Sequence, residues 1–266
     1  MKNTLAPVFI LILGLVPGAL GQTMFPLNPY APSAALEAAW ENRDGQEDQA
    51  ALQRTKQILS FGGAVNQEDK AFLNEWFPKF MARGLVGRKP TGQERVVVQD
   101  WFPKLTAKGN WQVTGEACRQ YNCISWSVGV TGNWLWPSSN VYDFNQFYLS
   151  YGYVPLGPGE PSADADIALW KAGNGEATHG CRRVAGDVWE SKLGSSLRIL
   201  HQLNELESAG YGAVTRLYRR GTADELQKLG VTARKPDGDG SDPCARVGVQ
   251  FKSGSYDMGS PRSDKP

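Results

Sequence analysis

Histidine is nearly absent from this chain, with two in 266 residues, and cysteine is scarce at four. That limits any imidazole base to His179 or His201 and any thiol nucleophile to four positions. Charge of one sign is not in surplus either: 28 Lys and Arg face 27 Asp and Glu. Without excess cations there is no bulk charge to neutralise a phosphate backbone, which argues against a nucleic-acid partner. A Walker loop, a Gly-x-Gly-x-x-Gly fingerprint, a Gly-x-Ser-x-Gly elbow and a His-Glu-x-x-His pair are all missing. No cofactor or resident metal is therefore implied. What remains is the composition of an ordinary globular protein, 41% apolar and 21% charged, with nine Trp, nine Tyr and ten Phe.

The one long apolar run is Leu5 to Val16, preceded by Lys2 and broken by Pro17 and Gly18. Ala19 and Gly21 then put small residues at −3 and −1 before Gln22. This pattern predicts a secretory signal peptide over 1–21 and a mature protein that is secreted or periplasmic. After cleavage no stretch is long and apolar enough to span a membrane.

Residues 22–100 read as a helical N-terminal region, with helical apolar spacing over Ser33 to Trp40 and Gln46 to Leu59. A nine-residue unit, Trp76 to Gly84, recurs 25 residues later as Trp101 to Gly109 with six identities, including Trp-Phe-Pro-Lys. Two copies are too few for a solenoid. Each Pro is expected to bend or end a short helix. Over 101–230, Asn122 is a plausible N-cap for a short helix starting at Cys123, and Tyr142 to Tyr151 predicts a second helix closed by Gly152. Strands are predicted at Ile167 to Trp170, Thr178 to Val184, Val188 to Leu193 and Ala213 to Tyr218, with Gly186-Asp187 as a hairpin turn. Thr222 to Glu225 fits a capping box opening a last helix to Leu229, and 231–266 reads as a loose tail. The layout is α+β, a helical lead-in followed by a small antiparallel sheet with helices on one side.

Cys123 is the strongest candidate nucleophile. A thiol at a helix start lies among free backbone N–H groups that favour thiolate and could hold an oxyanion. His179, 56 residues downstream on a predicted strand, is the better candidate base. A third group should orient its other nitrogen; Ser191 is preferred, with Glu190 close behind and His201 as a further option. Two competitors stand beside this pair. Four Cys in an exported chain suggest disulfides, with Cys118 joined to Cys181 or Cys244 and Cys123 itself a possible partner. Alternatively, Cys118, Cys123, His179 and Cys181 offer three sulfurs and one nitrogen to a metal. Trp126 could shield the Cys–His pair, and Trp134 with Trp136 could wall a cleft, although tryptophan usually packs in the core.

Several of these segments together resemble a family of uncharacterised domains found in many bacterial proteins. The resemblance runs from Trp101-Phe102-Pro103-Lys104-Leu105 through Trp111-Gln112-Val113-Thr114 and Tyr121-Asn122-Cys123-Ile124-Ser125-Trp126. It continues with Phe144 to Tyr153, Ile167 to Trp170, Thr178-His179, Trp189 to Gly194, Ile199 with His201, and Tyr211-Gly212, ending near Arg220. Its Asn-Cys-x-x-Trp helix and strand histidine are similar to papain-like cysteine hydrolases, including cell-wall amidases. That similarity implies a papain-like domain with Cys123 as nucleophile, His179 as base and Ser191 as orienting group. The extra thiols Cys118 and Cys181 and the duplicated lead-in depart from the pattern. The implied activity is cleavage or transfer of an amide bond in a peptide, peptidoglycan or protein substrate through a thioester. The rival expectation is a non-catalytic, disulfide-stapled secreted module that binds through its aromatics.

Overall fold

The computed structural model describes residues 45–236 and 241–244. The predicted signal peptide, the Ser33 to Trp40 helix and most of the tail lie outside the described residues. The chain opens with α1 (Gly45–Ser60) and α2 (Gln67–Ala82), continues with α3 (Gly92–Gln99) and α4 (Pro103–Lys108), and then enters strand β1 (Gln112–Gly115). Helices α5 (Cys123–Val128) and α6 (Val141–Ser150) follow. The remaining strands are β2 (Tyr153–Pro155), β3 (Ile167–Lys171), β4 (Ala177–Ala185), β5 (Val188–Lys192), β6 (Arg198–Gln202) and β7 (Ala213–Arg220), followed by α7 (Ala223–Lys228).

All seven strands form one antiparallel sheet in the order β1-β6-β5-β4-β3-β7-β2. The four predicted strands are present as β3, β4, β5 and β7. The sheet is larger than expected because β1, β2 and β6 join it. Strand β2 has three residues ending in Pro155, and β1 has four ending in Gly115, so neither carries an alternating pattern. Strand β6 is buried on both sides, including Arg198 and His201, which removes the polar–apolar alternation that marks a half-exposed strand. Gly186, at φ +49, turns β4 into β5. Thr222 and Glu225 make the reciprocal capping bonds that start α7.

Helices cover both faces of the sheet, not one. Alternation along each strand defines the faces. On the first face lie Leu169, Gly180, Glu190 and Leu200; on the second lie Trp170, His179, Cys181, Ser191 and His201. The duplicated unit is divided between them. Phe77 and Phe80 of α2 pack with Val184 and Leu200 on the first face, whereas Phe102 and Leu105 pack with Trp170, Cys181 and Ile199 on the second.

The prolines of the two copies play different parts. Pro103 occupies the first turn of α4, where a missing N–H costs nothing and the fixed φ suits the helix. Pro78 sits inside α2, which Asn66 has already started by accepting from Asp69 N–H at 2.8 Å. Neither ends its helix. In both copies the helix stops instead before a glycine in the left-handed region, Gly84 at φ +70 and Gly109 at φ +64.

Candidate functional site

Cys123 is the first residue of α5. Asn122 caps the helix by accepting from Ser125 N–H at 2.9 Å, as the sequence suggests, and its own amide donates to Leu135 O. The thiol is free and buried. Burial is the largest influence on it and pushes its pKa up to about 11, against the opposite pull of nearby backbone N–H groups and Lys192. The helix start therefore does not produce the thiolate expected there, because desolvation outweighs a six-residue helix. α5 and α6 lie against the first face at Gly180, where an added Cβ would come within 2.6 Å of Tyr148 Oη and 2.8 Å of Ile124 Cδ1.

His179 is the neighbour of Gly180 on β4 and points to the second face. It lies flat on Tyr211, centroids 4.3 Å apart, and edge-on to Trp170 at 5.2 Å. Its Nε2 is 2.9 Å from Ser191 Oγ, which is 2.7 Å from His201 Nε2. The direction of this chain follows from its end. His201 Nδ1 lies 2.8 Å from the carbonyl of Gln202 and must donate. Burial holds the His201 pKa down to about 4, so the ring is neutral near pH 7 and its Nε2 accepts. Ser191 then donates to His201 and accepts from His179 Nε2–H. His179, whose pKa burial also lowers strongly, keeps a bare Nδ1 that has no hydrogen-bond partner.

Of the sequence candidates, the structure thus brings His179, Ser191 and His201 together. It places Cys123 on the other side of the sheet. Cys181 shares the face of His179, stays free, and is held protonated by burial. Cys118 pairs with Cys244, not with Cys181, across a separation of 126 residues. A Cys118, Cys123, His179 and Cys181 ligand set is therefore not assembled. Such a disulfide is compatible with an extracytoplasmic location.

The most concentrated chemistry lies on the first face and was not legible in the sequence. Glu190 is fully buried and accepts from Arg182 Nε at 2.8 Å, Trp126 Nε1 at 3.1 Å and Thr114 Oγ1. Arg182 and Arg198 both lie over the Trp126 ring, at 4.8 and 4.1 Å from its centroid, and Tyr121 stacks on it at 5.4 Å. Trp126 is thus the centre of a cation–π cluster and not a shield over a Cys–His pair. Both guanidinium groups also donate to carbonyls around the end of α1: Arg182 to Leu59, Phe61 and Gly63, and Arg198 to Leu59. These are acceptors that a helix C-terminus leaves open. A second acid, Asp242, reaches Arg198 Nη2 at 3.0 Å from the far end of the chain. The sequence signal was a charged pair, Arg182-Arg183, inside a strand with no other Lys, Arg, Asp or Glu.

Trp134 donates to Arg119 O at 2.6 Å, and Trp136 stands edge-on to Phe144; both are half-buried. Among the described residues no helix is long and apolar enough to cross a membrane.

Residues 112–219 match the family model of a domain of unknown function (DUF7689). The matched segment begins at β1 and ends within β7, close to the span of the resemblance read from the sequence. No curated protein and no solved structure matches the chain. The DUF7689 segment contains Cys123, His179, Ser191, His201, Trp126 and the Arg182–Glu190–Arg198 cluster. Both copies of the duplicated unit lie outside it, as do Asp242 and Cys244.

Proposed function

We propose that the protein is a non-catalytic, disulfide-stapled binding module of an extracytoplasmic compartment. The observation that carries this reading is the separation of Cys123 from His179 by the sheet. A cysteine nucleophile needs its base within hydrogen-bond reach, whereas here the two side chains leave β4 and its covering helix in different directions. Both are buried, the thiol is protonated, and the histidine is committed to Ser191. A hydrolase built on this pair would have to bring the two groups past the β3–β4–β5 core. The buried His179–Ser191–His201 chain serves instead to fix one arrangement of sheet and covering helices, leaving recognition to other parts of the molecule. The aromatic loop at Trp134 and Trp136 is the surface singled out by the sequence for that role.

Alkylation of the native protein, scanned across pH and read residue by residue, tests the assignment. Cys123 and Cys181 are expected to resist labelling at neutral pH until the fold is opened by denaturant. Rapid native labelling of Cys123 with an apparent pKa well below the ~8.5 of a free cysteine, abolished by His179→Ala, would restore the hydrolase reading.

A further inference from the structure

The four described residues near the C-terminus, Ser241 to Cys244, return to the middle of the protein. Ser241 bridges to Phe61, Asp242 N–H donates to Ser60 O at 3.1 Å, and Cys244 is bonded to Cys118. Between these two anchors Asp242 is buried, 2% exposed, with its carboxylate on Arg198. The other walls of this position are Tyr121 and Trp126, which cluster with Cys118 and Cys244.

The charge count shows what this short segment supplies. Arg182 and Arg198 face one internal carboxylate, Glu190, which lies 2.6 Å from Arg182 Nη2 but 3.7 Å from Arg198 Nη1. Glu190 therefore belongs mainly to Arg182, and Arg198 takes its close acid from Asp242. Arg198 lies over the Trp126 indole, donates to the Leu59 and Thr114 carbonyls and keeps an unbonded Nε. It meets Asp242 Oδ2 as an ion pair at 3.0 Å without a hydrogen bond, so its charge can receive an anion there. The ligand that fills it comes from outside the DUF7689 segment, on a tether closed by a disulfide two residues away.

We propose that Arg198, Trp126 and Tyr121 form a carboxylate-binding pocket for acidic peptides, occupied in this state by the chain's own Asp242 and locked by the Cys118–Cys244 disulfide. The lock works through proximity. Tethering raises the effective concentration of Asp242 to about the millimolar range or above, so a free peptide cannot compete. Opening it requires a dithiol reductant, which passes two electrons and two protons to the Cys118–Cys244 bond, yielding two thiols here and a disulfide in the reductant. The proposal rests on the binding-module reading and gives that module a partner class. Its test uses a different readout from Cys123 labelling, so either idea can fail alone.

The experiment uses the full chain with Cys118→Ser, Cys244→Ser and Asp242→Asn combined, and acetyl-Ser-Asp-Pro-Ser-amide as the probe in calorimetry. The triple variant should bind the Asp peptide at least ten-fold more tightly than its Asn analogue, and the added change Arg198→Gln should erase the difference. Oxidised wild type should bind neither peptide. Equal affinity for the two peptides, or no binding by a variant with native circular dichroism, would overturn the pocket. Should the variant not fold, hydrogen exchange on the wild-type chain decides the matter. Dithiothreitol should speed exchange at the Asp242 and Cys244 amides at least ten-fold while β4 and β5 stay protected. Unchanged protection at Asp242, or loss of protection everywhere, would show that the segment is no separable latch.

Discussion

Ser191 Oγ lies 2.7 Å from His201 Nε2 and 2.9 Å from His179 Nε2, so one hydroxyl joins both histidines of the chain. Both rings are neutral in this arrangement, and burial keeps them so by lowering their pKa values, that of His201 from 6.5 to about 4. The unfolded chain takes up protons below about pH 6.5, while the folded chain does not until much lower pH. Stability is therefore fully present above pH 6.5 and is lost as pH falls through the interval from 6.5 to about 4. The slope is about 1.4 kcal/mol per pH unit for each histidine. Urea unfolding at several pH values should show it, and His201→Gln should flatten it. A pH-independent stability between 7 and 5 would contradict the neutral chain.

Glu190 is the shared acid of two buried arginines. Replacing it with Gln leaves Arg182 without its close anion and Arg198 with Asp242 alone in a dry interior, at a cost of about 3–5 kcal/mol. Chemical denaturation should report this loss. In the parent protein the lowered pKa of Glu190 places its contribution above pH 4.5, to be lost as pH falls below that value.

Gly180 leaves room for the helices that cover the first face. Adding one methyl group there, as Gly180→Ala, meets Tyr148 and Ile124 at 2.6 and 2.8 Å. The expected cost is about 1–3 kcal/mol from overpacking. Alkylation of Cys123 in this variant should become faster than in the parent, because α5 must lift. Unchanged stability and labelling would mean that the helix is not seated on Gly180.

Phe77→Ala and Phe102→Ala remove equivalent rings from the two copies of the duplicated unit. Each should cost about 3–5 kcal/mol as a core truncation. Since the rings lie in separate buried clusters on opposite sheet faces, the double variant should be additive to within about 0.5 kcal/mol. A larger coupling, measured by the double-mutant cycle, would place the two copies in one packing unit.

The legible parts of this fold are those with local causes. The Asn122 cap, the Thr222–Glu225 box, the Gly186 turn and the apolar run of β3 all follow from short-range chemistry. The link from His179 to Ser191 was also within reach, because a hairpin places their strands side by side. What separates Cys123 from His179 is not local. It depends on strand register and on which face each helix covers, and a one-residue difference in register reverses the answer. Arg198 and Asp242 were hidden for a related reason: they become partners only through a contact across 44 positions and a disulfide that spacing left open between two choices.

The placement of the four thiols bears on how the chain can be oxidised. Cys123 on α5 and Cys181 on β4 stand on opposite sides of the sheet, so a folded chain cannot join them. Cys118 can reach its partner only after residue 244 has come back to the centre of the molecule. Exchange among the cysteines is therefore harmless only if the sheet assembles before the covalent bond forms. The packing that keeps Cys123 and Cys181 apart leaves Cys118–Cys244 as the disulfide the fold accommodates.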